Sequence, residues 1–583
     1  MQHEQKLSYY ISKSKSIDID KFEKKIRIAL LGSYTINGIA ETFTVKCSDI
    51  NIGCTTYVGG YNQYNQELLD ANSTLYKFSP DISFLFLDNR SVLEDLYYFP
   101  YSISVSERQK FISNKIDQIS DLIKSFTAKS KSKLVITNLS VPTYSPYGLY
   151  ETKTIYGLQE MVHDYNSQLV KITKDNDSVY IYDFNGFVAR FGEQNVFDFR
   201  QFFFGDIKVS FDYIPYLVHE LMGYIKAILG LSKKCIVLDL DNTLWGGIIG
   251  EDGFEGIKLG NDPIGKAFVE FQKILLALHQ RGIILAINSK NNADDALRVI
   301  KEHPNMILKE DHFACVKINW NDKIQNMKEI ANELNIGLDS MVFFDDDPVN
   351  REYVHTNLPQ VLTVEVTQDA AEYAQIIMSM NDFHLLKITE EDIRRGKMYI
   401  QDKQRKELES SATNLQEFLQ QLGIKITIKK ANDFTIPRIS QLTLKTNQFN
   451  LTTRRYQVED IRKLISDGHW VGCVQVEDKF GDNGITGVFI IKKESTEWML
   501  DTFLLSCRIM GRGIEDGILG YILKKAKEEK IKTVKAEFIP TKKNIPCANF
   551  LSDYGFKKAD GNYWLFDLRN PIKIPNHLKY VIE

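Results

Sequence analysis

Short, uninterrupted apolar runs recur through the first third of the chain: IRIALL (26–31), ISFLFL (82–87), KLVITNL (133–139) and VYIYDF (179–184). Such runs suit strands buried on both faces of a sheet, and the amphipathic segment QKFISNKIDQISDLIKSF (109–126) suits a covering helix. The alternation predicts an α/β unit with a parallel sheet over residues 1–230. After an amphipathic helix at 213–229 the pattern restarts with CIVLDL (235–240), IILAIN (283–288) and MVFF (341–344). IGKAFVEFQKILLALHQRG (264–282) reads as the crossover helix between the first two, which predicts a second α/β unit over 231–386.

From 387 to 422 the pattern changes to charged residues and good helix formers with no strand signal, and predicts a solvated helical connector. Beyond it, IKITIKK, WVGCVQVED, GITGVFIIKK, TEWMLDTFLLS and TVKAEFIP read as strands, interrupted by one long helix after Gly513. A mixed α+β domain is predicted over 423–583. The length of 583 residues alone suggests about four units. The pattern reduces these to three domains and a connector.

Composition narrows the classes. A net charge of −4 offers no broad positive field for nucleic acid or anionic lipid. Seven cysteines, at 47, 54, 235, 315, 473, 507 and 547, are odd in number and form no CxxC pair, so the expectation is a reducing, cytoplasmic setting without disulfides or zinc. The start MQHEQKLSYYISKSK lacks an apolar signal core, and no apolar run is long enough to span a bilayer, so neither export nor a membrane partner is expected.

The candidate chemistry lies where strands end. CIVLDL runs into DNTLW, which places Asp239, Asp241 and Thr243 in a D-x-D-x-T pattern; Ser289 (AINSKNN), Lys323 (NWNDKIQNM) and Asp345, Asp346 and Asp347 (VFFDDDP) follow. Each piece alone is compatible with a polar loop start. Together they suit phosphoryl transfer to a carboxylate. Asp239 is ionised at neutral pH and can attack phosphorus without an activating base. Asp241 can protonate the leaving group and then deprotonate water. Mg²⁺ takes oxygen ligands, here Asp239, the Asp241 carbonyl and Asp346 with Asp345 in support. Ser289 and Lys323 would present a hydroxyl and a fixed positive charge to the phosphoryl oxygens. The stretch from 239 to 289 is used by a glycine-rich hairpin (WGGIIGEDGFEGIKLG) and one helix, and that from 289 to 323 is shorter still. Neither leaves room for a cap domain, so the site is expected to be open to a large or protein-tethered substrate.

On these residues the chain resembles the haloacid dehalogenase (HAD) superfamily, and VLDLDNTLWGGIIGEDG resembles its capless FkbH-like branch, HAD subfamily IIIC. The connector pattern EDIRRGKMY (391–399) matches as well. One departure is Asp347, where that branch usually has Asn. In the N-terminal domain LLGSYT, GGYNQYNQ and LDNR are similar to SGNH hydrolase-like domains. That resemblance would make Ser33 a nucleophile and Asn89 an oxyanion donor, but the late Asp-x-x-His pair is missing: Asp212 and His219 are too far apart, and His219 lies within a helical pattern. A substrate- or carrier-docking domain is therefore expected.

In the C-terminal domain Arg508, Gly511 and Gly513 form R-x-x-G-x-G between a strand and a helix, where free amides suit a pyrophosphate. The glycines also suit a simple tight turn. NIPCANFLSDYGF resembles the end of GNAT acyltransferase domains, which implies Asn544 and Tyr554 near a pantetheine thiol, with Tyr554 as general acid. The segment 442–456 (LTLKTNQFNLTTRRY) is basic and polar, and reads either as facing a phosphate-bearing cofactor or as an exposed loop. Resemblance to full-length FkbH-like proteins implies a bifunctional phosphatase and acyltransferase. It would take a glyceryl group from a phosphorylated donor such as 1,3-bisphosphoglycerate and load it on the phosphopantetheine of an acyl carrier protein. Two alternatives stay open: a sugar-phosphate phosphatase coupled to acetyl transfer from CoA, and a carrier-binding scaffold with a degenerate centre.

Overall fold

The structure is a computed structural model that describes residues 4–389, 393, 401, 405, 408, 409, 412–493 and 497–583. The chain forms two compact units, Gln2–Ile225 and Lys226–Glu583.

In the first unit the strands are β1 (Lys25–Gly32), β2 (Gly53–Val58), β3 (Ile82–Phe86), β4 (Lys133–Thr137) and β5 (Val179–Tyr182). All pair in parallel, in the order β2-β1-β3-β4-β5. β1 and β3 to β5 are the apolar runs read from the sequence. β2 escaped that reading because it is an edge strand, GCTTYV, buried only at its start. The helix Val105–Lys129 begins earlier than its apolar stripe, since Ser104 and Glu107 form a capping box at its N-terminus.

The second unit opens with another parallel sheet: β6 (Cys235–Leu238), β7 (Ile284–Ser289), β8 (Phe313–Ile318), β9 (Met341–Phe344) and β10 (Leu362–Thr363), ordered β10-β9-β6-β7-β8. β6 is the central strand, fully buried, with Ile236 in the core on one face of the sheet. The helix Pro263–Gln280 is the expected crossover, capped by Asp262 with Pro263 in its first turn. The expected glycine-rich hairpin forms differently. Residues 249–256 make a helical turn broken at Gly253 (φ 70°, ψ 174°), and an antiparallel bridge between Gly246 and Lys258 closes the loop. Nothing beyond this loop, crossover helices and strands lies between Asp239 and Asp346, so no separate cap domain is inserted.

The C-terminal sheet comprises β11 (Lys425–Lys430), β12 (Phe449–Asn450), β13 (Trp470–Asp478), β14 (Gly481–Lys493), β15 (Glu497–Leu505), β16 (Thr533–Glu537), β17 (Lys557–Lys558), β18 (Tyr563–Asp567) and β19 (Lys579–Ile582). It is mixed, in the order β17-β18-β16-β15-β14-β13-β11-β19, with β12 beside β15. The pattern EDIRRGKMY falls outside the described residues apart from Ile393. The end of the expected connector is not a solvated helix: in Leu415–Leu422 the side chains of Phe418, Leu419 and Leu422 enter the core of this sheet. Arg405 is buried against Asp478 at 2.6 Å. The segment 442–456 is likewise neither an exposed loop nor a cofactor face. Arg454 is spent on Asp501 and Glu537, each at 2.6 Å, and Arg455 donates to the Thr443 carbonyl. Among the described residues, no helix is long and apolar enough to cross a membrane.

All five tryptophans lie in the second unit. Ile236→Ala is expected to cost about 2–5 kcal/mol, read as a lower urea midpoint of tryptophan fluorescence with the circular dichroism of the native state unchanged.

Candidate functional site

Parallel strands end on one edge of their sheet, and the β6–β10 sheet uses that edge to collect residues that are far apart in the chain. Asp239 leaves the central strand with its N–H donating to the Phe344 carbonyl (3.0 Å). Ser289 closes β7 and is buried. Asp345 and Asp346 follow β9. Lys323 opens the helix Lys323–Glu333, whose N-terminus Asp322 caps.

The Lys323 ammonium, 2% exposed, lies 2.9 Å from Asp239 Oδ1 and 2.6 Å from Asp345 Oδ2. It also donates to the Asn288 carbonyl at 3.2 Å. Burial works against its charge, but the two carboxylates outweigh that and raise its pKa. Lys323 therefore stands first as counter-ion to the carboxylates. Asp239 Oδ1 is in ion-pair range yet lacks a hydrogen bond of good geometry, which leaves a buried anionic oxygen under-satisfied.

Carboxylate oxygens of Asp239, Asp345 and Asp346 lie within 4.8 Å of one another. Burial, then repulsion from Asp239 and Asp345, pushes the Asp346 carboxyl up to about 6. Burial and Asp239 also raise Asp345, against the pull of Lys323. An all-oxygen donor set with excess negative charge and an under-satisfied carboxylate oxygen fits a hard divalent cation such as Mg²⁺. Asp239 and Asp346 would hold it, with Asp345 tied to Lys323 behind them.

Asp241 is held separately. Its Oδ1 accepts from Trp245 Nε1 (2.9 Å) and the Ile249 N–H (3.1 Å), and its Oδ2 accepts from Asn291 Nδ2 (2.8 Å). Burial chiefly, and the charge of Asp239, raise its pKa despite these donors. A carboxyl inclined to keep a proton, two residues from a carboxyl set beside an ammonium, is an arrangement that suits a general acid next to a nucleophile.

Sequence reasoning missed several supports. Thr243 Oγ1 pairs with Asp346 Oδ1 and with its N–H, both at 3.2 Å. Arg351 donates to the Asp345 and Asp346 carbonyls, and so fixes the acidic loop from behind. Asn291 lay inside the quoted AINSKNN, but only tertiary contact shows its partner. Asp347 accepts from the Val349 N–H at 2.9 Å as the cap of the helix Pro348–Asn357. Asp and Asn cap equally well, which accounts for the departure at this position.

The N-terminal unit does not assemble the hydrolase set. Ser33 Oγ accepts from the Asp88 N–H (2.8 Å), and Asn89 Nδ2 is spent on the Ser140 carbonyl (2.6 Å) rather than left as an oxyanion donor. His219 pairs with Glu4. What stands beside Ser33 is a buried ion pair: Lys208 and Asp88, 5% and 4% exposed at the side chain, 2.8 Å apart. Burial would raise the Asp88 carboxyl, but Lys208 holds it below its ordinary range.

In the C-terminal domain the glycine loop turns through left-handed residues, and the side chains expected at a thiol are engaged elsewhere. Gly511 (φ 76°) has open space where a side chain would stand, and Gly513 (φ 70°) caps the helix Ile514–Glu528. Arg508 is buried, with Nε 3.3 Å from Ser506 Oγ. Asn544, however, donates to the Asn450 and Ile539 carbonyls (3.0 and 2.9 Å), and Tyr554 donates to the Lys573 carbonyl (2.7 Å). Both are turned into the domain, and burial raises the Tyr554 phenol further, so neither is placed as a donor to a thiol.

Family models match in two segments: the FkbH N-terminal domain over residues 27–226 and acid phosphatase over 232–370. A HAD-like hydrolase superfamily protein of Schizosaccharomyces pombe is 34% identical over 135 residues, covering 20% of this chain and 78% of that protein. The crystal structure of the N-terminal part of a Bacteroides fragilis protein, containing a phosphatase domain complexed with Mg, is 30% identical with a TM-score of 0.61. It covers 66% of this chain and 100% of that one. A GNAT-family acetyltransferase from Staphylococcus aureus aligns with 24% of this chain and 99% of its own at 15% identity, with a TM-score of 0.20. Fold and site together define a phosphatase-type hydrolase built around a carboxylate. The chain belongs to the HAD-like hydrolase superfamily.

The raised Asp346 carboxyl favours the folded state while protonated, so its contribution to metal-free stability is lost as pH rises through about 6. Asp346→Asn is therefore expected to raise the metal-free Tm at pH 7.5 and to abolish the further rise that Mg²⁺ gives the natural chain, both read by thermal denaturation. Lys208→Ala leaves Asp88 buried and unpaired and is expected to cost about 3–5 kcal/mol. The double variant Lys208→Met, Asp88→Asn should recover most of that in the same denaturation assay.

Proposed function

We propose that this chain is a bifunctional enzyme that removes phosphate at Asp239 and handles an acyl group in its C-terminal domain, with a glyceryl-type acyl group bound for a carrier-protein thiol. The reading is carried by the convergence of Asp239, Asp241, Lys323, Asp345 and Asp346 in a chain that also matches the FkbH N-terminal domain.

Asp239 attacks the phosphorus of a phosphate ester, and the bond to the leaving oxygen breaks as Asp241 gives that oxygen a proton. The resulting aspartyl-phosphate is opened by water, whose proton Asp241 takes back. Lys323 keeps Asp239 oriented and balances the charge behind it, while Ser289 lies at the same edge to receive the phosphoryl oxygens. Mg²⁺ held by Asp239 and Asp346 would supply the positive charge that lets an anionic nucleophile meet an anionic phosphate. In the acyl half-reaction a thiolate attacks the acyl carbon of a 1,3-bisphosphoglycerate-like donor and the acyl-bound phosphate departs. The Gly511–Gly513 loop would receive the phosphate end of the pantetheine arm.

Acetyl transfer from CoA, coupled to a sugar phosphatase, rests on the same loop, because CoA and a carrier present the same arm. Six of the seven cysteines are buried, and only Cys507 is partly exposed. It is the side chain best placed to hold an acyl group during transfer. The complete acidic set with its counter-ion speaks against a degenerate scaffold.

Asp239→Asn is expected to lower Mg²⁺-dependent phosphate release by roughly 10³-fold or more with folding intact. Full activity in that variant would overturn the nucleophile. Incubation with holo carrier protein and 1,3-bisphosphoglycerate, against acetyl-CoA and an amino sugar, separates the two acyl readings by intact mass.

A further inference from the structure

A groove lies on one face of the β6–β10 sheet, away from the edge that carries Asp239. The helices Pro263–Gln280 and Tyr373–Ser379 pack together on that face, with the Tyr373 ring against Phe268 and Phe271. Between their C-terminal halves is a space of about 350 Å³, within the range that takes small organic ligands. Ile274, Ala277, Leu278, Ile377 and Met378 wall it with apolar side chains. Met378 is 60% exposed, so the groove opens to solvent.

One end of the groove is polar. Arg281, between the helix Pro263–Gln280 and β7, is half-buried there. Its Nη2 donates to the Phe383 carbonyl at 3.1 Å, while its Nε is buried without an acceptor. Burial lowers its pKa, and no carboxylate opposes that shift. His384 adjoins it: burial, and then the charge of Arg281, lowers its pKa, which leaves a neutral ring at pH 7 able to donate or accept. A half-buried guanidinium that keeps its charge without a counter-ion is costly, and an anion arriving there would relieve that cost through a charge-assisted hydrogen bond. Among the described residues that line the rest of the groove, none brings a polar side chain, so the hydroxyls of a sugar phosphate or nucleotide would be left unpaired. Aliphatic walls with a flexible Met suit an alkyl chain instead. Ile274 lies two helical turns before Arg281, which gives that chain about 10 Å.

We propose that this groove binds a small organic acid with an unbranched apolar chain. The carboxylate sits at Arg281 and His384, and the chain runs along Leu278, Ile274 and Ile377. Arg281 selects the charged head, and removal of the chain from water supplies the rest of the affinity. The polar end lies where β7 begins, whereas Asp239, Ser289, Asp345 and Asp346 stand where strands end. Binding here is therefore independent of the reaction proposed above and stands or falls separately from it.

Isothermal titration calorimetry of the full chain without Mg²⁺, with octanoate, neutral octanol and acetate as probes, tests the site. The natural chain should bind octanoate saturably, with octanol weaker by about tenfold or more for want of the charged head, and acetate weaker by about as much for want of the chain. Arg281→Met should lose about tenfold toward octanoate and keep its affinity for octanol. Ala277→Leu, which fills the groove, should weaken both by about tenfold or more, with its circular dichroism unchanged. Absence of saturable heat from the natural chain with octanoate overturns the inference without recourse to any variant, and so does equal affinity for octanoate and octanol. Undiminished octanoate binding by folded Ala277→Leu places the ligand elsewhere and overturns it too.

Discussion

A single buried ammonium makes the rest of the phosphatase centre possible. Asp239 and Asp345 are both withdrawn from water, and two carboxylates in that position could not both stay ionised without a cation between them. Lys323 occupies that place at 2.9 and 2.6 Å, and its own charge survives burial only because of them. The three groups form one unit: removing Lys323 strands both buried carboxylates, a penalty larger than the worth of a single contact. The excess that Lys323 leaves uncompensated falls on Asp346 and is the basis for a divalent cation.

Around that unit the structure distinguishes two carboxyls by environment rather than by residue type. Asp239 and Asp241 are the same residue two positions apart. One points at the ammonium. The other is enclosed by Trp245, Asn291 and the Ile249 N–H, where burial favours its protonated form. Arg351 and Thr243 hold the Asp345–Asp346 loop through its carbonyls and N–H, so its geometry survives changes in the charge of the carboxylates themselves.

The two flanking domains show how polar residues of motif-like appearance become structural. Ser33 and Asn89 stand where hydrolase residues were expected, yet both are consumed by backbone partners, and Lys208 with Asp88 takes the interior beside them. Asn544 and Tyr554 are likewise satisfied by carbonyls of their own domain. Arg454, legible only as a basic residue, closes a buried network with Tyr456 around Asp501, and Arg455 is taken up by the Thr443 and Thr446 carbonyls. In each case a buried polar group takes the nearest partner it can reach, because leaving it unpaired costs more than any functional placement supplies.

By itself the sequence determined the strands that are buried on both faces, since an unbroken apolar run has no other stable home: β1, β3, β4, β6, β7 and β9 are read directly. It missed β2 and β10 at sheet edges and β8 outside the longer runs, where apolar character is diluted, and it misread the glycine-rich loop after Trp245, where positive φ values admit a broken helical turn as readily as a hairpin. It also placed the candidate residues together, because D-x-D-x-T, a strand-end serine, a helix-opening lysine and paired acids must share an edge once the sheet is parallel. Only the tertiary structure decided which partner each polar side chain takes. Periodicity fixes the face on which a residue lies, but hydrogen bonds are settled by separations of about 3 Å between positions as far apart in the chain as Thr243 and Asp346.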